Sequence, residues 1–123
     1  MPIITIYHNP RCSKSRQALD MLHETKYAIE VIRYLEVGLS QHDIKAVCKS
    51  LDMRPAEVVR TKEDIYQSIA KVFGHASDDE KYKIIAENPI LLERPIVITH
   101  NKAIIARPPE KIKQFLNNYR CSQ

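Results

Sequence analysis

The first apolar run, Ile3-Ile4-Thr5-Ile6-Tyr7, is short, rich in β-branched residues and closed by the turn signal Asn9-Pro10, so it predicts a buried strand. Ala18, Leu19 and Leu22 then recur at helical spacing, which predicts a helix starting near Cys12. Residues 28–35 are again β-branched and apolar and read as a second strand, and a right-handed crossover makes the two strands parallel. Ser40, with Asp43 three residues on, caps a helix whose apolar stripe is Ile44, Val47, Cys48 and Leu51. Pro55, Thr61 before Asp64, and Ser77 before Glu80 announce three more short helices, the second ending at Gly74, and Asn88-Pro89 stops the run. Residues 95–99 and 103–106 read as strands joined by a turn around His100-Asn101-Lys102. Pro108 and Pro109 then start a last helix with Ile112, Phe115, Leu116 and Tyr119 on one face.

The resulting order, β-α-β, a helical insert over about 40–87, then β-β-α, suggests an α/β chain with a thioredoxin-like fold. At 123 residues it is expected to be one domain, 1–123, in which the insert has no core large enough to stand alone and packs over the active edge. Nineteen Lys and Arg against fifteen Asp and Glu leave a formal charge of +4, which suits a small anionic substrate and does not call for nucleic acid. There is no charged-then-apolar signal pattern at the start and no apolar stretch approaching the roughly eighteen residues that span a bilayer, so a soluble cytoplasmic protein is expected. Cys12, Cys48 and Cys121 are odd in number and widely spaced, which fits reduced thiols and neither a disulfide framework nor a zinc site. With no heptad or long apolar stripe, a monomer is the default.

Against that background Cys12 stands out, because it falls where a strand hands over to a helix. The unpaired amides and positive dipole end of a helix start favour thiolate over thiol and also bind anions. Arg11, Lys14 and Arg16 add positive charge before the first acid, Asp20. A buried structural cysteine is the bland alternative, but such a thiol seldom sits among three cations, an Asn-Pro turn and two serines. The local motif is Cys-x-x-Ser: Ser15 stands where a dithiol oxidoreductase carries its second cysteine, so an intermediate on Cys12 calls for an external thiol or for distant Cys48 or Cys121, the external thiol being the simpler assumption. Ser15, one turn on, could donate a hydrogen bond to the sulfur, and His8 could donate another or supply charge. Equally, His8 could be a polar cap at a strand end, and Ser13 and Ser15 could serve as helix caps.

Other anion-handling signatures are missing. A cysteine phosphatase loop needs arginine six residues after its cysteine, where this chain has Ala18. With glycine only at 38 and 74, neither a P-loop nor a dinucleotide fingerprint is available. If an oxyanion is handled, guanidinium groups are its best partners, and Arg60, Arg94 before Pro95, and Arg107 before Pro108-Pro109 are the candidates. Taken singly, each reads equally well as a solvated surface arginine.

Taken together, the tract from His8 to Arg16, Arg60 before Thr61-Lys62-Glu63, Asn88-Pro89, Arg94-Pro95-Ile96-Val97 and Arg107-Pro108 resemble the glutaredoxin-coupled arsenate reductase family over residues 3–116. The short tail after the last helix is similar to that of the family's short-form members. This resemblance implies a thioredoxin-like fold with a helical insert, Cys12 as the nucleophile that attacks arsenate, and His8 in support of the thiolate. It implies Arg60, Arg94 and Arg107 as the arginines that hold the oxyanion, and a cis-proline at Pro95. It further implies no metal and no tightly bound cofactor, with glutathione as co-substrate and glutaredoxin as protein partner. Two other readings share the fold: an Spx-type RNA polymerase-binding regulator, which usually carries a Cys-x-x-Cys switch that Ser15 removes here, and a glutathione-dependent thiol oxidoreductase that does not act on arsenate.

Overall fold

The structure, a computed structural model, describes residues 3–100 and 102–121, the last three of these by their backbone alone. Asn101 and the side chains of Tyr119 and Cys121, on which expectations were stated above, lie outside the described residues. The chain divides into two compact units, one formed by the chain up to Tyr34 and from Arg94 onward, the other by Leu35–Glu93.

The first unit is built on a four-stranded sheet of order β2-β1-β3-β4, with β1 Ile3–Tyr7, β2 Ala28–Ile32, β3 Ile96–Thr99 and β4 Lys102–Ile105. β1 runs parallel to β2 and antiparallel to β3, and β3 and β4 form the closing hairpin. Thr99 pairs with Lys102, and His100, which follows Thr99, takes a positive φ of 28°, as primed hairpin turns require. Two helices, α1 (Ser13–His23) and α6 (Lys111–Cys121), cover one face of the sheet. Ile4 and Ile6 from β1, Ala18 and Leu22 from α1, Val97 from β3, Ala106, and Ile112 and Leu116 from α6 form its core. Each fully buried Ile or Leu contributes about 1.5–3 kcal/mol to holding this layer together. The chain is thus α/β with a thioredoxin-like fold.

The register decides what meets at one end of the sheet. Tyr7 at the end of β1 lies opposite Ile32 at the end of β2 and Ile96 at the start of β3, and Ile96 lies opposite Ile105 at the end of β4. The residues just beyond these positions, His8, Arg33, Arg94-Pro95 and Ala106-Arg107, therefore share that end. Backbone bonds from His8 N to Ile32 O (2.8 Å) and from Ala106 N to Pro95 O (2.9 Å) carry the pairing one step past the strands. The Arg94-Pro95 peptide is cis, and so is Arg107-Pro108.

The second unit contains α3 (Gln41–Leu51), α4 (Asp64–His75) and α5 (Asp78–Glu87) with short 3-10 turns at Pro55–Glu57 and Pro89–Leu91. The helical insert expected over 40–87 lies within it. Ser40 and Asp43 form the anticipated capping box, each side chain accepting from the other's backbone N–H. Ser77 likewise accepts from Glu80 N. α3 packs along α5, and an isolated bridge pairs Val59 with Leu92.

Several boundaries differ from the sequence reading: β3 starts one residue later, β4 lies one residue earlier, and α4 runs through Gly74 to His75. The second strand ends at Ile32, and Tyr34–Val37 forms one helical turn, α2, closed by Gly38 at φ 77°. α4 is capped at Glu63 rather than Thr61, because the chain first turns with Glu63 N bonded to Arg60 O at 3.2 Å. The last helix starts at Lys111, after a tight turn in which the N–H groups of Lys111, Ile112 and Lys113 bond the carbonyls of Pro108, Pro109 and Glu110.

Candidate active site around Cys12

Asn9 organises the loop between β1 and α1. Its carbonyl accepts from Cys12 N at 3.0 Å, its side-chain oxygen accepts from Arg11 N at 3.0 Å, and its own N–H donates to Ser15 Oγ at 3.0 Å. Arg16 reaches back to donate from Nη1 to Pro10 O at 3.0 Å, and its N–H closes the first helical bond on Cys12 O. The Asn-Pro tract read from sequence as a turn is therefore a bonded frame that sets Cys12 at the helix N-cap, with φ −96° and ψ 121°. Cys12 is a free, half-buried thiol.

Burial alone would push the Cys12 thiol up, but the N–H of Ser15, the Arg94 side chain and the N–H of Lys14 favour the charged sulfur, and the Arg94 charge adds to them. The net effect is an acidity above that of an ordinary cysteine. The Cys12 side chain makes no capping hydrogen bond at this N-cap. Arg94 answers in kind: burial works against its charge, while hydrogen bonds to Cys12 and Tyr34 and the charges of both outweigh it and push it up.

Ser15 serves the site through two groups. Its backbone N–H favours the thiolate, whereas its fully buried hydroxyl lies 2.7 Å from His8 Nδ1 and accepts from Asn9 N. His8 is itself buried, and burial first, then the charges of Arg33 and Arg16, lower its pKa against a small opposing pull from Asp20. It therefore favours the neutral imidazole and contributes a hydrogen bond to Ser15 rather than a positive charge.

A pH dependence follows. With the folded pKa below the unfolded value of about 6.5, the stability His8 contributes is complete above that value and is lost as pH falls through the folded pKa. Urea midpoints should therefore drop between pH 7 and 5 by more in the wild type than in His8→Gln; equal drops would show that His8 protonates freely.

Arg107 follows β4 at the same sheet end as Cys12 and Arg94 and is exposed. Arg60 belongs to the second unit, where its N–H donates to Leu91 O at 2.7 Å and its Nε pairs with Glu63 Oε1 at 3.1 Å. Cys48, also in the second unit, is buried, and burial with the nearby Asp78 charge pushes its thiol up to about 11, the behaviour of an inert core cysteine. Tyr34, absent from the sequence reading, is fully buried, with its ring centroid 6.3 Å from that of Tyr7. Among the described residues no three His, Cys, Asp or Glu side chains gather as a metal site would require. No helix among them is long and apolar enough to cross a membrane.

The family model of ArsC matches residues 7–115, which takes in the Cys12 loop, Arg60, Arg94 and Arg107. The chain belongs to the ArsC family. Among ArsC relatives, it is 40% identical to the arsenate reductase of Neisseria meningitidis over 117 residues, covering 94% of this chain and 100% of that one. It is equally 40% identical over 114 residues to the uncharacterized protein YfgD of Escherichia coli, covering 92% and 96% of the two chains. The solved arsenate reductase of Vibrio cholerae superposes with a TM-score of 0.86 at 37% identity, covering 92% of this chain and 97% of that one.

Proposed function

We propose that this chain reduces arsenate to arsenite in the cytoplasm, with Cys12 as nucleophile and with glutathione and glutaredoxin as external reductants. The observation that carries the reading is a thiol at a helix N-cap whose thiolate is favoured by two backbone N–H groups and the Arg94 guanidinium. Membership of ArsC and the arsenate reductases among its relatives give the substrate class.

The Cys12 thiolate attacks arsenic, an S–As bond forms, and one arsenate oxygen leaves as water after protonation. Arg94 neutralises charge on the oxyanion as the sulfur gives up its own, Arg107 stands at the same sheet end, and the resemblance alone assigns Arg60 the same task. The sulfur of glutathione then attacks the Cys12 sulfur. An S–S bond forms, the S–As bond breaks, and its electron pair passes to arsenic, taking As(V) to As(III), which leaves as arsenite. Glutaredoxin removes glutathione from Cys12 by thiol–disulfide exchange and regenerates the thiolate. No resident cofactor or metal enters these steps. Ser15 leaves no local partner thiol at the position a dithiol enzyme would use, which is why the second sulfur comes from outside.

The test is a coupled assay with glutathione, glutaredoxin, glutathione reductase and reduced nicotinamide, run with and without arsenate and with arsenite measured directly. Arsenate-dependent nicotinamide oxidation matched by arsenite release is expected. Turnover of a glutathionylated thiol substrate with no arsenate-dependent signal would replace this reading with the thiol oxidoreductase.

A further inference from the structure

A serine inside a helix ordinarily turns its hydroxyl to solvent or back to a carbonyl of its own helix. Ser15, in the first turn of α1, is fully buried, and its Oγ instead meets two groups at the start of the preceding loop. Asn9 N lies 3.0 Å from it and His8 Nδ1 lies 2.7 Å from it, both within hydrogen-bond range. A backbone N–H can only donate, so Asn9 takes one lone pair of the oxygen. The hydroxyl has a single proton of its own, and among the described residues His8 Nδ1 is the acceptor that faces it. Were Nδ1 protonated instead, two N–H groups would donate to one oxygen and the serine proton would be left in the interior without a partner, an arrangement that burial makes costly.

We propose that the Ser15 hydroxyl is a positioning group for His8: it accepts from Asn9 and donates to Nδ1, which holds the imidazole neutral with its one proton on Nε2. The site then carries a fixed N–H donor at Nε2 and no proton at Nδ1. The same oxygen ties Asn9, whose carbonyl accepts from Cys12 N, to the helix that Cys12 caps. Position 15 is therefore more than a vacant place for a second thiol, since its side chain is committed to His8 and Asn9. The charged groups around the imidazole are Arg33, just past β2, and Arg16 and Asp20 on α1. All three remain when the hydroxyl is removed, so a substitution at 15 separates the serine from them. The inference deepens the function proposed above and rests on the Cys12 loop being its site, but it does not depend on arsenate being the substrate.

Nitrogen-15 NMR of the uniformly labelled full chain reads both ring nitrogens directly, with the His8 signals identified by their loss in His8→Gln. At pH 7 a single tautomer is expected, with Nε2 protonated and Nδ1 bare. Ser15→Ala should give a mixture of the two tautomers and raise the His8 titration midpoint by roughly half to one unit, because nothing then opposes a proton on Nδ1. Ser15→Thr keeps a hydroxyl on the same carbon and should restore the single tautomer. A wild-type His8 with its proton on Nδ1, or present as imidazolium at pH 7, would overturn the proposal. So would a Ser15→Ala protein with the wild-type tautomer and midpoint, or a folded Ser15→Thr protein that behaves as Ser15→Ala. Should Ser15→Ala fail to fold, the wild-type tautomer alone decides. A chain with His8 held as the Nε2–H tautomer that forms no arsenite would retain Ser15's role and remove the arsenate reading. Arsenite formation with Nδ1 protonated would remove Ser15's role alone, so the two failures are distinguishable.

Discussion

Cys12→Ser will bring arsenite formation to background, a loss of roughly 10⁴-fold or more, while leaving the fold intact and oxyanion binding largely unchanged. A serine hydroxyl is not ionised near neutral pH and cannot form the disulfide that carries electrons to arsenic, so both the attack and the reduction fail together. The position is also one where serine suits the backbone: residue 12 is the N-cap of α1, with extended φ and ψ, and serine ranks among the best caps. The variant should therefore melt at or slightly above the wild-type temperature. Arsenate binding, measured by calorimetry, should persist because the backbone N–H groups and Arg94 remain. Appreciable turnover by this variant would remove the nucleophile from the mechanism; loss of both turnover and binding with the fold intact would show that the sulfur itself holds the anion.

What could be read from the sequence was what local chemistry determines. The Ser40–Asp43 capping box lies within one helical turn, as does Ser77 over Glu80, and both formed as expected. The parallel pairing of β1 with β2 followed from the handedness of the crossover, and the closing hairpin from two apolar runs around a short turn. Where a boundary moved, a tertiary contact or a competing turn had won. The strand reading ran on to Leu35, yet Tyr34 turns inward to bury its ring and the extended run stops at Ile32. Thr61 looked like a cap, but Arg60 and Glu63 pair across it and the helix begins after them.

The site divides along the same line. Cys12 was legible because its reactivity depends on a strand-to-helix junction visible in the residues around it. That Arg94 and Arg107 reach one sheet end is a consequence of register across β1, β3 and β4, which no local pattern encodes. The bond between His8 and Ser15 links a strand end to the first turn of a helix seven residues later, and it directs the serine hydroxyl to the imidazole while the serine N–H serves the sulfur.

The second large effect is expected at Arg94. Arg94→Ala should lower kcat/KM for arsenate by about 10²–10³, the usual cost of removing a preorganised donor from a developing or transferring charge. Two losses combine in that figure. The sulfur loses both a hydrogen bond and a facing positive charge, so the pH at which Cys12 becomes half ionised must rise, and less thiolate is present at pH 7. The oxyanion also loses a planar guanidinium donor, which raises KM as well. Raising the pH should therefore recover the first loss and leave the second: the deficit of Arg94→Ala will shrink toward pH 9 and then level off. Arg94→Lys retains charge but not the planar fork, and one ammonium cannot serve the sulfur and an oxyanion together as a guanidinium does, so it should restore part of the pH-dependent loss and little of the rest. If Arg94→Ala lowers kcat/KM by a constant factor at every pH, the guanidinium serves the anion alone and the thiolate owes its stability to the helix start. If Arg94→Lys is fully active, charge suffices and the fork has no separate role.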